Sequence, residues 1–136
     1  MKGLLTLGIA CTALLTACSG AVVCSAVGGP SVSGVIVDYH AVLARHPGRP
    51  LVVRVCVRTT DQACVHRRVQ PHSGSGSIFA GRGIVSDATP AEVQVRITDA
   101  TGHALVDEST TVTPHLSEVN GPDCPPHAWI ARVTAA

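Results

Sequence analysis

Leu51-Val52-Val53-Arg54-Val55-Cys56-Val57-Arg58, then Thr59-Thr60-Asp61-Gln62, then Ala63-Cys64-Val65-His66-Arg67-Arg68-Val69, is the stretch that decides the fold. Leu51, Val53, Val55 and Val57 fall on one parity, and Val52, Arg54, Cys56 and Arg58 on the other. Successive side chains of a strand point to opposite faces, so this alternation describes a strand with one apolar face. Residues 59–62 read as a turn, and Ala63 to Val69 as the returning strand. Setting residue 57 opposite 63 places 56 opposite 64 and 55 opposite 65. Val55 and Val65 then share the inner face while Cys56 and Cys64 share the outer one. A single register thus satisfies the hydrophobic pattern and a cross-strand disulfide together. It also places Arg54, Arg58, His66 and Arg68 on the outer face. Such a patch suits an anionic partner, lipid headgroups or a wall polymer, and suits a solvated sheet face as well.

Outward from this hairpin the chain reads as short strands between turn signals. Gly34 to Tyr39 carries Val-Ile-Val, and His46-Pro47-Gly48-Arg49-Pro50 separates it from the next segment. Ser73-Gly74-Ser75-Gly76-Ser77 is a loop before a brief strand at Ile78-Phe79-Ala80, and residues 81–91 are irregular. Glu92 to Thr98 alternates again, with Val93, Val95 and Ile97 inward. Asp99-Ala100-Thr101-Gly102 has a side-chain acceptor at its start and Gly where a hairpin needs positive φ, so His103 to Thr113 is the return strand. Asp107 and Glu108, adjacent on that strand, point to opposite faces, so one of them is partly buried. After Pro114 comes a loop ending in Asn120-Gly121-Pro122-Asp123-Cys124-Pro125-Pro126, which no helix or central strand accommodates. His127 to Thr134 closes the domain, with Trp129 as its largest core candidate. No segment beyond the N-terminus sustains a 3.6-residue period. About seven short strands over residues 32–136 make the fold class all-β, an immunoglobulin-like β-sandwich.

The N-terminus has a different character. Met1-Lys2-Gly3 precedes an uncharged run from Leu4 to Leu15, long enough for a secretory signal and short of the roughly 20 apolar residues a span needs. Weak apolarity continues to Val27, which leaves a signal-anchor helix as the alternative, opposed by Ser19-Gly20 and Gly28-Gly29-Pro30. Residues 1–17 therefore read as a signal peptide helix and 18–31 as a small-residue spacer. Its removal leaves 119 residues, enough for one domain. Lys2 is the sole lysine, so nine Arg face nine Asp and Glu in that remainder, and nothing suggests a nucleic-acid partner. Cys11 departs with the signal. If Cys18 is modified, Cys24, Cys56, Cys64 and Cys124 form an even set, which in an exported chain reads as two disulfides with three pairings open. The hairpin register favours Cys56–Cys64 and leaves Cys24–Cys124 to tie the ends of the domain.

Leu15-Thr16-Ala17-Cys18 resembles the lipobox of bacterial lipoproteins, in which a small residue precedes a Cys that receives diacylglycerol before cleavage. Two or three acyl chains (palmitate and its kin) give lasting attachment where one gives little. The lipobox, the Val55-Cys56-Val57…Ala63-Cys64-Val65 hairpin and the Asn120-to-Pro126 stretch before a Trp-bearing strand together resemble a group of small actinobacterial lipoproteins without assigned activity. Members often carry a further Cys soon after the Pro-Pro, where this chain has His127-Ala128. Ala, Val, Gly and Arg in place of Lys and Asn fit a GC-rich genome of that kind. The resemblance implies a lipid-anchored protein on the extracytoplasmic side of the cell membrane and adds no mechanism.

A search for chemistry gives little. His40, His46, His66, His72, His103, His115 and His127 are scattered, with neither helical i, i+4 spacing nor zinc-finger spacing to a Cys. Gly74-Ser75-Gly76 lacks the strand and helix of a nucleophile elbow, Gly81-Arg82-Gly83 lacks a following helix, and no Cys-x-x-Cys occurs. No cofactor is implied and no enzyme is expected. The leading expectation is a non-enzymatic envelope protein, membrane-bound through its lipid, that binds an envelope protein or wall polymer. The alternative is a metal- or redox-handling lipoprotein using the His-rich loops or a labile Cys pair.

Overall fold

Valine and isoleucine at alternate positions favour the pleated chain, because branching at Cβ packs well between neighbouring strands. The computed structural model describes Cys24, residues 32–118 and residues 120–136, and carries this pattern into two four-stranded sheets. The expected signal, the lipidation at Cys18 and all of the spacer except Cys24 lie outside the described residues.

The elements are β1 (Gly34–Asp38), α1 (His40–Arg45), β2 (Leu51–Arg58), β3 (Gln62–Val69), β4 (Ser77–Ala80), β5 (Ala91–Asp99), β6 (Ala104–Val112), β7 (His115–Ser117) and β8 (Ala128–Thr134). One sheet runs β4-β1-β8-β7 and the other β3-β2-β5-β6. All pairs are antiparallel except β1 with β8. The all-β sandwich is therefore the observed architecture. The register of the deciding hairpin matches the sequence reading: Val55 faces Val65, Cys56 faces Cys64 and Val57 faces Ala63.

The inner faces meet in one core. Leu51, Val53, Val55 and Val57 of β2 and Val93, Val95 and Ile97 of β5 are buried against Val35 and Val37 of β1 and Ile78 and Ala80 of β4. Each of these Val, Leu and Ile side chains contributes about 1.5–3 kcal/mol by leaving water. Tyr39 is the largest fully buried side chain, and its hydroxyl donates to the Ser75 carbonyl at 3.1 Å.

Three expectations need correction. Trp129 is half-buried at the margin of the core, because it lies where β8 is flanked by short β7 and faces exposed Leu116. A helix, α1, occupies the stretch after Tyr39, whose carbonyl accepts from the amides of Val42 and Leu43. Buried Val42 holds that turn to the core, and Pro47 follows where the helix has ended. The segment after Pro114 is no plain loop either: His115–Ser117 pairs with Ala128–Ile130.

The Asp99 turn forms as its residue types require. Its carboxylate accepts from the Thr101 and His103 amides at 2.9 and 3.0 Å and from the Thr101 hydroxyl at 2.6 Å. Gly102 sits at φ +88°, where a side chain would be strained. These bonds, that of Thr101 foremost, hold the Asp99 carboxyl below its ordinary pKa.

Candidate binding face and its disulfides

The outer face of the β3-β2-β5-β6 sheet is ordered by cross-strand rows. His66, Arg54, Arg96 and Asp107 form one row, and Cys64, Cys56, Gln94 and Ser109 the next. Gln62, Arg58, Glu92 and Thr111 form a third, while Arg68 and Val52 lie beside Thr98 at the opposite end. The four expected patch residues thus share one exposed face. They are not equivalent. Arg58 is ion-paired with Glu92, whose other oxygen accepts from Ser109 Oγ at 3.1 Å. The Arg58 guanidinium and the Ser109 hydroxyl hold the Glu92 carboxyl below its usual range. Arg96 lies 3.7 Å from Asp107. Among the described residues neither Arg54 nor Arg68 has a carboxylate partner, and Arg54 reaches only Cys64 Sγ, at 3.9 Å. Arg68 also borders a shallow cavity of about 330 Å³ lined by Pro50, Leu51, Val52, Gln70 and Ala100. The uncompensated part of the face is therefore Arg54, His66 and Arg68.

Both expected disulfides are bonded. Cys56–Cys64 has a Cα–Cα distance of 4.0 Å across directly opposed strand positions. Cys24–Cys124 joins residues 100 apart at a Cα–Cα distance of 5.4 Å. Cys64 is exposed and Cys56 buried, and the Gln62 amide nitrogen lies 3.3 Å from Cys64 Sγ.

The edge strands carry two residues whose role the sequence does not disclose. Arg67 of β3 shares the inner parity with Val65 and Val69, so its guanidinium turns into the margin of the sandwich. There it donates to Ser75 Oγ and to the Ser77 carbonyl, at 3.3 and 3.2 Å, tying β3 to β4 of the other sheet. Glu108 of β6 faces Val95 on the inner parity, and Asp107 faces Arg96 on the outer, as their adjacency requires. Among the described residues, Glu108 Oε1 is buried without a hydrogen-bond partner. Inward-pointing charges on edge strands oppose edge-to-edge aggregation.

The histidines are not gathered: no group of three His, Cys, Asp or Glu side chains that could hold a metal occurs among the described residues. His40 has a structural partner, since its Nδ1 lies 2.8 Å from Asp38 Oδ1. The His40 amide also donates to that carboxylate, and this bond leads the causes that lower the Asp38 pKa. No described helix is long and apolar enough to cross a membrane. Comparison with family models, with curated proteins and with solved structures returns no match for this chain.

Proposed function

We propose that this chain is a lipid-anchored envelope protein, made fast at Cys18, whose sandwich binds an anionic partner through Arg54, His66 and Arg68 without catalysing a reaction. Two uncompensated guanidiniums on one flat, exposed sheet face are the observation that carries the binding role. The sheet fixes the spacing of their backbone positions, so the ordering cost of binding a repeating anion such as a phosphate-rich wall polymer falls on the two side chains alone.

The Cys24–Cys124 bond shortens the tether that the anchored reading requires. The spacer reads as residues 18–31, yet Cys24 is already fixed to the loop before β8. Five residues separate Cys18 from Cys24, so the six steps between them span at most about 22 Å of extended chain. An anchored sandwich would therefore stand close above the headgroups, with its Cys124 end toward them.

Binding of the full chain to soluble poly(glycerol phosphate) tests the role. Arg54→Ala with Arg68→Ala should weaken binding about tenfold and flatten its salt dependence, whereas Arg58→Ala, already engaged by Glu92, should change it least. Equal small effects from all three would mean a merely solvated sheet face.

One observation favours a second reading, a redox role for Cys56–Cys64: the exposed Cys64 sulfur has the Gln62 amide and the Arg54 guanidinium beside it. Nearby donors stabilise a thiolate. Two free thiols in freshly isolated protein would favour this reading, and none would favour the structural staple.

A further inference from the structure

We propose that the seam between β6 and β8 takes up an extended peptide strand that carries a Lys or Arg, adding it to the open edge of β8. This goes beyond the anion-binding face, which lies on the other side of the β3-β2-β5-β6 sheet, and rests on different residues. β8 runs over seven residues, but β7 pairs with its first three alone. Ala131–Thr134 is hydrogen-bonded to β1 on one side, and among the described residues no strand pairs with the other. The cause is local. Pro114, buried and lacking an N–H, sits where the line of β7 would continue past residue 131, and there the chain crosses to β6 in the opposite sheet. The position beside the second half of β8 is left without a strand.

β6 borders the same seam and is itself an edge of its sheet. Between the two edges lies a groove of about 320 Å³ lined by Glu108, Ser109, Thr110, Val112, Arg132, Val133 and Thr134. Unpaired backbone groups along a groove are what strand addition uses for affinity, and pockets for alternate side chains set its specificity. Glu108 specifies the occupant. Among the described residues its Oε1 is buried and without a partner, an unfavourable state for a carboxylate oxygen. A cationic side chain entering from the seam supplies the missing donor. Arg132 is on the opposite parity of β8 from Val133 and is exposed. A strand laid antiparallel, as β7 is, therefore puts a cation inward, opposite Val133, and its next residue outward beside Arg132, where an acid is favoured. The occupant is an extended segment with adjacent Lys and Glu. The same unpartnered carboxylate hinders pairing of two such seams, because the β6–β8 seam of a second copy brings another Glu108.

The probe is the blocked tetrapeptide Thr-Val-Lys-Glu, which ends opposite Arg132 short of Pro114, titrated into the isotope-labelled full chain. Amide shifts and slowed hydrogen exchange should centre on Ala131–Thr134, with about tenfold weaker binding when the peptide Lys is replaced by Gln. In Glu108→Gln, which keeps the shape of the side chain, that preference for Lys should vanish. Shifts at β3, equal affinity for the two peptides, or no binding would overturn the proposal. Concentration-dependent dimerisation that protects the same amides would overturn it too, since the occupant would then be a second copy.

Discussion

The two disulfides join like atoms across very unlike lengths of chain. Cys56–Cys64 spans eight residues within a hairpin whose strands already pair from Leu51 with Val69 to Arg58 with Gln62. Cys24–Cys124 spans 100 residues and fastens a segment outside the sheets to the loop before β8. The first confirms a register that packing of Val55 and Val65 specifies anyway. The second ties Cys24, which belongs to neither sheet, to the loop before β8. A cross-link that closes a short loop removes less freedom from the unfolded chain than one that closes a long loop.

The difference is measurable by urea unfolding. Cys24→Ser with Cys124→Ser should lose about 4–5 kcal/mol, the chain-entropy value for a loop near 100 residues. Cys56→Ala with Cys64→Ala should lose about 2.5 kcal/mol by the same relation. Equal losses, or the reverse order, would break the comparison. Gly34→Ala sharpens it by loading the Cys124 end of the sandwich through packing alone. The new Cβ would meet the Phe79 ring and come within 2.6 Å of the Ala80 carbonyl oxygen, so about 2 kcal/mol should be lost with both disulfides intact. The smallest effect belongs to the β5–β6 turn, which no disulfide holds. Asp99→Ala should lower the melting temperature slightly at neutral pH and not at all in strong acid. The folded-state pKa of Asp99 is lowered, so its contribution is present above its ordinary value of 3.8 and disappears as pH falls through the lowered one. Thermal melts across that range check the sign.

Much of the fold could be read in the sequence because two constraints coincided. The β2–β3 register satisfies Val55 opposite Val65 and Cys56 opposite Cys64 at once, and a slip of one residue would turn Leu51, Val53, Val55 and Val57 of β2 outward. The β5–β6 turn was as clear, since Asp99 and Gly102 each answer a specific need of the backbone. Trp129 misled because size argues for burial, while its depth depends on how far β7 extends. Three residues of β7 and six of α1 are too short to show a period. For the site, parity gave the four patch residues but not their charges' partners: Arg58 is taken by Glu92, 34 positions away. Arg67 and Glu108 stand on inner parities that alternation alone marks as errors. Their meaning comes from the opposite sheet, through Ser75 and Ser77 in one case and β8 in the other.

The anchor is the central claim, and the mass of the N-terminal peptide tests it most directly. Protein recovered from the membranes of a bacterium that exports it should begin at Cys18, with that residue heavier by diacylglycerol and, after reduction, linked to an unmodified Cys24. A chain that begins at Met1, or an exported form whose Cys18 is unmodified, would contradict the account.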